Sequence, residues 1–161
     1  MAAAQTSSPG TPDAPVAPEA RRRPALLAAL ALVVAMALLT SCLSNNQSKT
    51  LYQLNTDRYH NGIRNLSPLS QSVSKAQAWA DHLAAIGYLQ HTYLPSSYSV
   101  RWCALGENVG YGSDTASIER AFMGSPEHRG NILSGTWNHA GTGVARRGST
   151  VFVVQEFIKT C

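Results

Sequence analysis

Three side chains with metal-ligand and acid-base chemistry occur in the second half of the chain: His91, Glu107 and His128. Two neutral imidazoles and a carboxylate can hold a divalent metal such as zinc and leave one position for water, whose pKa the metal lowers toward about 7. The two histidines are 37 residues apart, so they form no local metal motif, and their spacing alone is a weak signal. The alternative is a structural cluster in which Glu107 hydrogen-bonds both histidines and orders the segment around them.

Other polar residues accompany these three. Ser125 is followed by Pro126, which is the pattern of a helix start and favours a capping role for Ser125 over a nucleophilic one, although Ser125 lies three residues before His128. Glu127 can supply a second carboxylate, but the helix dipole also explains an acidic residue in a first turn. The remaining titratable residues of interest are expected on solvated helix surfaces: Glu119, His60 and His82.

The elements that position these residues follow from periodicity and turn chemistry. Apolar residues at helical spacing predict a helix over residues 73–84 that Gly87 ends, with an alanine-rich face that allows close packing. Runs of β-branched and aromatic residues at 143–145 and 151–157 predict a β-hairpin. Further helices are predicted at 50–62, 113–123 and 125–133, and an extended segment at 102–110. Helices first and a hairpin last indicate an α+β fold.

The first 42 residues have the layout of an export signal. A polar stretch at 1–20, predicted to be disordered, precedes three arginines at 21–23 and 15 apolar residues at 25–39. That run fits a signal h-region and is short for a membrane span of about 20 residues. The tetrapeptide at 39–42, Leu-Thr-Ser-Cys, resembles the lipobox of bacterial lipoproteins, which predicts lipidation of Cys42. An uncleaved signal anchor and ordinary secretion are the alternatives. Residues 43–49 are predicted as a linker to a domain at 50–161.

The cysteine count agrees with export. The chain has three cysteines, and an odd number in an exported protein needs an explanation. If Cys42 carries lipid, Cys103 and Cys161 remain as one pair, and closing their loop of about 58 residues would stabilise the domain by roughly 4 kcal/mol. An oxidising compartment favours this disulfide. The alternative is two separate buried thiols.

Net charge gives no support for a nucleic-acid partner. The formal charge is +4, and three of the basic residues are the arginines before the apolar run. The remaining Lys and Arg residues are scattered and form no basic stripe with interleaved aromatics. Binding to nucleic acid is therefore not expected.

The order of motifs along the chain resembles the bacterial branch of the CAP superfamily, also called the SCP domain. The motifs are Asn-Thr-Asp-Arg at 55–58, Leu-Ser-Pro-Leu at 66–69, Gly-Glu-Asn-Val at 106–109, Ser-Pro-Glu-His-Arg-Gly-Asn-Ile-Leu at 125–133, Gly-Thr-Gly-Val at 141–144 and Val-Gln-Glu-Phe at 154–157. The resemblance implies a three-layer α-β-α sandwich with a small antiparallel sheet between helices and a central cleft. It covers nearly all of residues 51–158.

The resemblance also implies roles for individual residues. In fuller members of the family, two histidines and two glutamates line the cleft, and the histidines can bind a divalent metal such as zinc. His91 resembles the first histidine, Glu107 the first glutamate and His128 the second histidine. Ser125 stands where the second glutamate is expected, so the tetrad is reduced to three. The expected cleft residues beside the metal ligands are Glu107, Asn108, Ser125 and Glu127.

These observations predict a monomeric, extracytoplasmic lipoprotein of the bacterial cell envelope. We expect a non-catalytic binding module, held to the membrane through Cys42, with a divalent metal on His91 and His128 and a small apolar or envelope-derived ligand or partner. The alternative is a zinc-dependent, peptidase-like hydrolase with Glu107 as general base. A purely structural role in the envelope would need neither metal nor turnover.

Overall fold

The computed structural model describes residues 43–94 and 98–161. The predicted signal and the lipidation site Cys42 lie outside these residues. The described residues belong to one compact unit, Ser41–Cys161, and none of their helices is long and apolar enough to cross a membrane. In chain order the elements are α1 (Asn45–His60), β1 (Ser67–Pro68), α2 (Ser70–Ile86), β2 (Trp102–Gly112), α3 (Thr115–Gly124), α4 (Pro126–Leu133), β3 (His139–Arg147) and β4 (Thr150–Thr160).

A four-stranded sheet with strand order β1-β3-β4-β2 forms the centre of the domain. Strands β3 and β4 form the predicted antiparallel hairpin, and Gly148 takes the positive φ of 58° that its tight turn requires. Strand β2 pairs antiparallel with β4, whereas the two residues of β1 pair parallel with β3. Strand β2, which carries Glu107, therefore lies at an edge of the sheet.

Helices cover both faces of the sheet, so the predicted three-layer arrangement is confirmed. Successive residues of β4 point to opposite faces. Val151, Val153 and Phe157 join the core formed with α1, α3 and α4. Phe152 and Val154 join the core formed with α2. This α+β sandwich places β2 between two helical layers.

Helix α2 lies directly on strand β3, as its alanine-rich face predicts. Ala76, Ala80 and Leu83 are fully buried. Opposite them, a Cβ atom added at Gly143 would lie 2.0 Å from the carbonyl oxygen of Ala76. Helix and strand can approach this closely because glycine presents no side chain here. Gly87 ends the helix with a φ of 84°.

The N-terminal boundary of the domain corrects the sequence-based expectation. Residues 43–49 are not a linker, because helix α1 begins at Asn45 with Ser44 as its N-cap. Ser44 and Gln47 form a capping box, in which the backbone N–H of Ser44 donates to Oε1 of Gln47 over 2.8 Å. Gln47 is buried and its amide donates to Gln77. The polar composition of this segment concealed the helix, because these polar groups bond one another.

The disulfide between Cys103 and Cys161 is confirmed. The two Cα atoms are 5.3 Å apart and the cysteines are 58 residues apart in sequence. The bond links the start of β2 to the residue that follows β4, so it joins the edge strand covalently to its neighbour. The alternative of two separate thiols is wrong.

Candidate functional site

His91 lies in the segment after α2 and is anchored on the edge strand β2 by Glu107. Its Nδ1 is 2.7 Å from Oε1 of Glu107, and the backbone N–H of Thr92 donates to the same oxygen over 3.0 Å. The His91 side chain is 63% exposed, whereas that of Glu107 is 2% exposed. Burial raises the pKa of Glu107, and the hydrogen bonds from His91 and Thr92 oppose that shift. Glu107 thus acts as a buried support for an accessible imidazole.

His128 reaches the same region from the other helical layer, in the first turn of α4. Its Nδ1 is 2.9 Å from Oγ of Ser125, and its ring packs against Phe122 with 5.0 Å between ring centroids. Burial lowers the pKa of His128, and the nearby His91 imidazole lowers it further. Both effects favour the neutral imidazole, which is the form that a metal ligand needs.

Ser125 occupies the N-cap position of α4, as predicted, but its hydroxyl makes no capping hydrogen bond. The expectation that Ser125 is a helix cap is therefore wrong for its side chain. The hydroxyl instead donates to Oε2 of Glu127 over 3.1 Å. Because a hydroxyl has one proton, the oxygen then accepts from an Nδ1–H of His128. The exposed Glu127 carboxylate binds Ser125, and its pKa is lowered by its own backbone N–H and by Ser125.

Both histidines are therefore held through Nδ1 by an oxygen, and across residues 43–94 and 98–161 no hydrogen bond involves either Nε2. Metal-bound histidines usually have this arrangement, in which the second ring nitrogen donates to an orienting oxygen. No set of three or more His, Cys, Asp or Glu side chains in the described part of the chain is placed to hold a metal. What the described residues show is a pair of imidazoles, each oriented at Nδ1, one by Glu107 and the other by Ser125. The alternative in which Glu107 bonds both histidines is wrong, because Ser125 holds His128.

Asn108 fixes helix α4 to strand β2. Its Nδ2 donates to the backbone oxygen of His128 over 3.1 Å and to Oε1 of Gln155 over 3.0 Å. Asn131 donates to Oδ1 of Asn108 over 3.0 Å and to the backbone oxygen of Glu107 over 3.2 Å. These amides set the distance between the His128 backbone and the strand that supports His91.

A second buried glutamate, Glu156, was missed as a site residue from the sequence. It is directly opposite Glu107 in the β2–β4 register and is fully buried. The Tyr98 hydroxyl donates to its Oε2 and is 3.1 Å from Oγ of Ser72. Burial raises the pKa of Glu156 to about 7, and the Glu107 carboxylate adds to that shift. The signal was present in the sequence, because a glutamate inside an apolar strand is rarely buried without a partner.

Glu119 is a further correction, because the expectation of a solvated helix residue is wrong. It is 4% exposed, and its Oε2 accepts a hydrogen bond from Nε2 of Gln155 over 2.6 Å. Burial raises the pKa of Glu119 to about 8, and the nearby Asp57 carboxylate contributes. His60 and His82 are exposed, as expected.

A protein-family model described as the cysteine-rich secretory protein family, CAP, matches residues 51–157. The chain is 29% identical over 128 residues to the uncharacterized protein YkwD of Bacillus subtilis. The aligned region covers 73% of this chain and 49% of YkwD. The chain thus spans about half the length of that curated relative.

Solved structures share the fold at low sequence identity. An outer surface protein of Borrelia burgdorferi has a TM-score of 0.63 at 15% identity, covering 71% of this chain and 92% of the Borrelia protein. NaASP2, crystallised with Zn²⁺, has a TM-score of 0.57 at 13% identity, covering 73% of this chain and 83% of NaASP2. These likenesses establish a common architecture. With the family match over most of the described residues, they show that the chain belongs to the cysteine-rich secretory protein (CAP) family.

Proposed function

We propose that this protein is an exported, membrane-anchored CAP domain that binds a divalent metal through Nε2 of His91 and Nε2 of His128. The observation that carries the proposal is the matched anchoring of both imidazoles at Nδ1, by Glu107 and by Ser125. Each anchor fixes one ring nitrogen and leaves the other to coordinate. When bound, the metal would supply a positive charge at these two imidazoles, toward which a ligand or partner group could be oriented.

An envelope location is supported by three independent features. The signal-like segment at 21–42 ends at Cys42, the Cys103–Cys161 disulfide is of the kind that persists in oxidising compartments, and the Borrelia burgdorferi protein of the same fold is described as an outer surface protein. The crystallisation of NaASP2 with Zn²⁺ supports zinc as the first metal to test. We propose a lipid on Cys42 as the anchor, and a small apolar or envelope-derived molecule as the ligand.

A binding role is favoured over hydrolysis because Glu107 is poorly placed to be a general base. Its Oε1 already accepts two hydrogen bonds, from His91 and Thr92. Its Oε2 is buried, and a general base has to be within hydrogen-bond reach of the water that it activates. The carboxylate therefore supports the loop that carries His91.

Calorimetric titration of the purified full-length chain with Zn²⁺ at pH 7.5 tests the metal site. We expect binding to the wild type, and loss of at least about tenfold in affinity for His91→Ala and for His128→Ala, since each removes one of two protein ligands. His60→Ala is the matched control, because His60 is also exposed but lies at the end of α1, next to Tyr59. Equal Zn²⁺ affinity in the wild type and the double variant would refute the metal site.

The anchor is tested separately by intact mass spectrometry of the membrane fraction. We expect a chain that begins at a diacylglyceryl-modified Cys42. An unmodified Cys42 with residues 1–41 still attached would show that the protein is not a lipoprotein.

A further inference from the structure

Helix α1 presents two tyrosines to solvent on the side opposite its buried residues. Tyr52 and Tyr59 are each 73% exposed, whereas Leu51 and Leu54 on the inner side belong to the core. The tyrosines make no contribution to that core, and large aromatic side chains exposed in this way commonly mark a binding surface. Their exposure on the helix therefore indicates a binding partner outside the domain.

The two rings border a groove of about 300 Å³ between α1 and the segment that follows it. The residues that line the groove are neutral amide, hydroxyl, imidazole and aromatic side chains: Tyr52, Asn55, Thr56, Tyr59, His60 and Asn65. The lining includes no Asp, Glu, Lys or Arg. A groove of this composition suits an uncharged, hydroxyl-rich ligand, and it lacks the cations that a nucleic acid or an anionic membrane surface requires.

Hydrogen bonds hold the floor of the groove in place without a ligand. Asn55 donates from Nδ2 to the backbone oxygen of Leu66 over 3.0 Å, and the Leu66 N–H donates to Oδ1 of Asn55 over 2.8 Å. The hydroxyl of Thr56 donates to the backbone oxygen of Tyr52 over 2.8 Å. The segment after α1 is thus fastened to the helix, so a ligand would meet a formed groove and binding would lose little ordering entropy.

The spacing of the tyrosines narrows the ligand class. Tyr52 and Tyr59 are seven residues apart, which is about two helical turns and about 10 Å along the helix. In a β-1,4-linked glycan, successive sugars are flipped, so that the same apolar face recurs every second sugar at a comparable repeat. Two tyrosine rings at this spacing can each stack on one such face, and the amide of Asn65 and the imidazole of His60 in the groove lining can hydrogen-bond sugar hydroxyls.

We propose that the groove between Tyr52 and Tyr59 is a binding site for a β-1,4-linked glycan. The site shares no residue with the His91 and His128 cluster. It is also near the proposed anchor, because the nine residues between Cys42 and Tyr52 span at most about 20 Å when seven of them are helical. This proximity rests on the proposed lipidation, whereas the chemistry of the groove does not.

Chitotetraose, a β-1,4-linked tetramer, is the probe, and the experiment titrates it into the full-length protein in mild detergent by calorimetry. We expect Tyr52→Ala and Tyr59→Ala each to raise the Kd about tenfold, whereas Tyr52→Phe and Tyr59→Phe stay close to the wild type because the ring face is retained. Tyr111→Ala is the matched control, since Tyr111 is 62% exposed on β2. Maltotetraose, which is α-1,4-linked and lacks the alternating repeat, should bind more weakly.

Several results would overturn the glycan site. These are absence of chitotetraose binding by the wild type, unchanged binding by folded alanine variants, or equal affinity for maltotetraose. Binding to phosphatidylglycerol vesicles that depends on the two tyrosines, without glycan binding, would assign the surface to a membrane instead. The His91→Ala, His128→Ala double variant should bind chitotetraose like the wild type, so that failure of the metal site and failure of the glycan site are distinguishable.

Discussion

Two pairs of side chains lie next to each other on strands β2 and β4 and face opposite layers of the domain. Asn108 and Gln155 are opposite each other in the register, and so are Glu107 and Glu156, one position along. All four are buried. The amide pair bonds internally, and it also bonds Glu119, Asn131 and the His128 backbone. In the carboxylate pair, one oxygen of each glutamate has no hydrogen-bond partner within the described residues.

The amide pair is a structural network, whereas the carboxylate pair supports the segment that carries His91. Amides supply both donors and acceptors, so the Asn108–Gln155 pair satisfies itself and holds α4 on the sheet. Two carboxylates have only acceptors when ionised, and like charges directly opposite each other destabilise a sheet. The carboxylate pair instead fastens the segment after α2. Glu107 accepts hydrogen bonds from His91 and Thr92, and Glu156 accepts one from Tyr98. The Glu107–Glu156 pair therefore lowers local stability, and Glu107 positions His91.

The largest effect should come from breaking the packing of α2 on β3, on the face of the sheet that also carries the carboxylate pair. Gly143→Ala would place a methyl group 2.0 Å from the Ala76 carbonyl oxygen, and α2 would have to move away from β3. We expect a loss of more than about 4 kcal/mol in the free energy of unfolding, because both contacting groups are backbone. Urea denaturation measures it. Gly130→Ala is the control, since nothing lies within 4 Å of a Cβ there and alanine favours the helix.

Breaking the amide pair should cost somewhat less. Asn108→Leu removes the donor to Gln155 and to the His128 backbone and the acceptor for Asn131. We expect a loss of about 3 kcal/mol in unfolding free energy, because several buried polar groups lose their partners at once. The exposed Asn46→Leu should change stability by less than about 0.5 kcal/mol. If both variants unfold at the same urea concentration, the amide network does not hold α4 on the sheet.

The carboxylate pair should show itself in the pH dependence of stability. Glu156 has a raised pKa of about 7 against an ordinary value of 4.5, so the unfolded chain releases this proton first as the pH rises. The contribution of Glu156 to stability is therefore largest below pH 4.5 and falls up to about pH 7. Glu156→Gln should remove a loss of about 2 kcal/mol between pH 5 and pH 7. Glu119 has a pKa of about 8, so it should make the stability of both proteins decline with rising pH.

Denaturation midpoints of the wild type and Glu156→Gln at several pH values provide this comparison. The exposed Asp81→Asn removes a carboxylate from the surface of α2 and serves as the control, with a pH profile parallel to that of the wild type. A profile for Glu156→Gln that also runs parallel to the wild type would mean that the second carboxylate is not titrating in a buried pair.

The sequence contained most of the fold but only part of the site. Periodicity predicted α2, because the helix buries one regular face, and the runs of β-branched and aromatic residues predicted the final hairpin, whose strand β4 is buried on both faces. It missed the start of α1 at Asn45, since the Ser44 and Gln47 capping box is entirely polar. Local spacing could predict the contact between Ser125 and His128, because the two residues are three positions apart. The pairing of Glu107 with Glu156 was not, because it depends on the register of strands 49 residues apart in sequence.

The central claim is that His91 and His128 are oriented through Nδ1 and coordinate a metal through Nε2. Nitrogen-15 NMR of the histidine side chains in the metal-free protein at pH 7.5 tests it most directly, because it distinguishes the two ring nitrogens. The account predicts the Nδ1–H tautomer for both residues, and a change confined to the two Nε2 signals when Zn²⁺ is added. Nε2–H tautomers at His91 and His128, with no response of either residue to Zn²⁺, would contradict it.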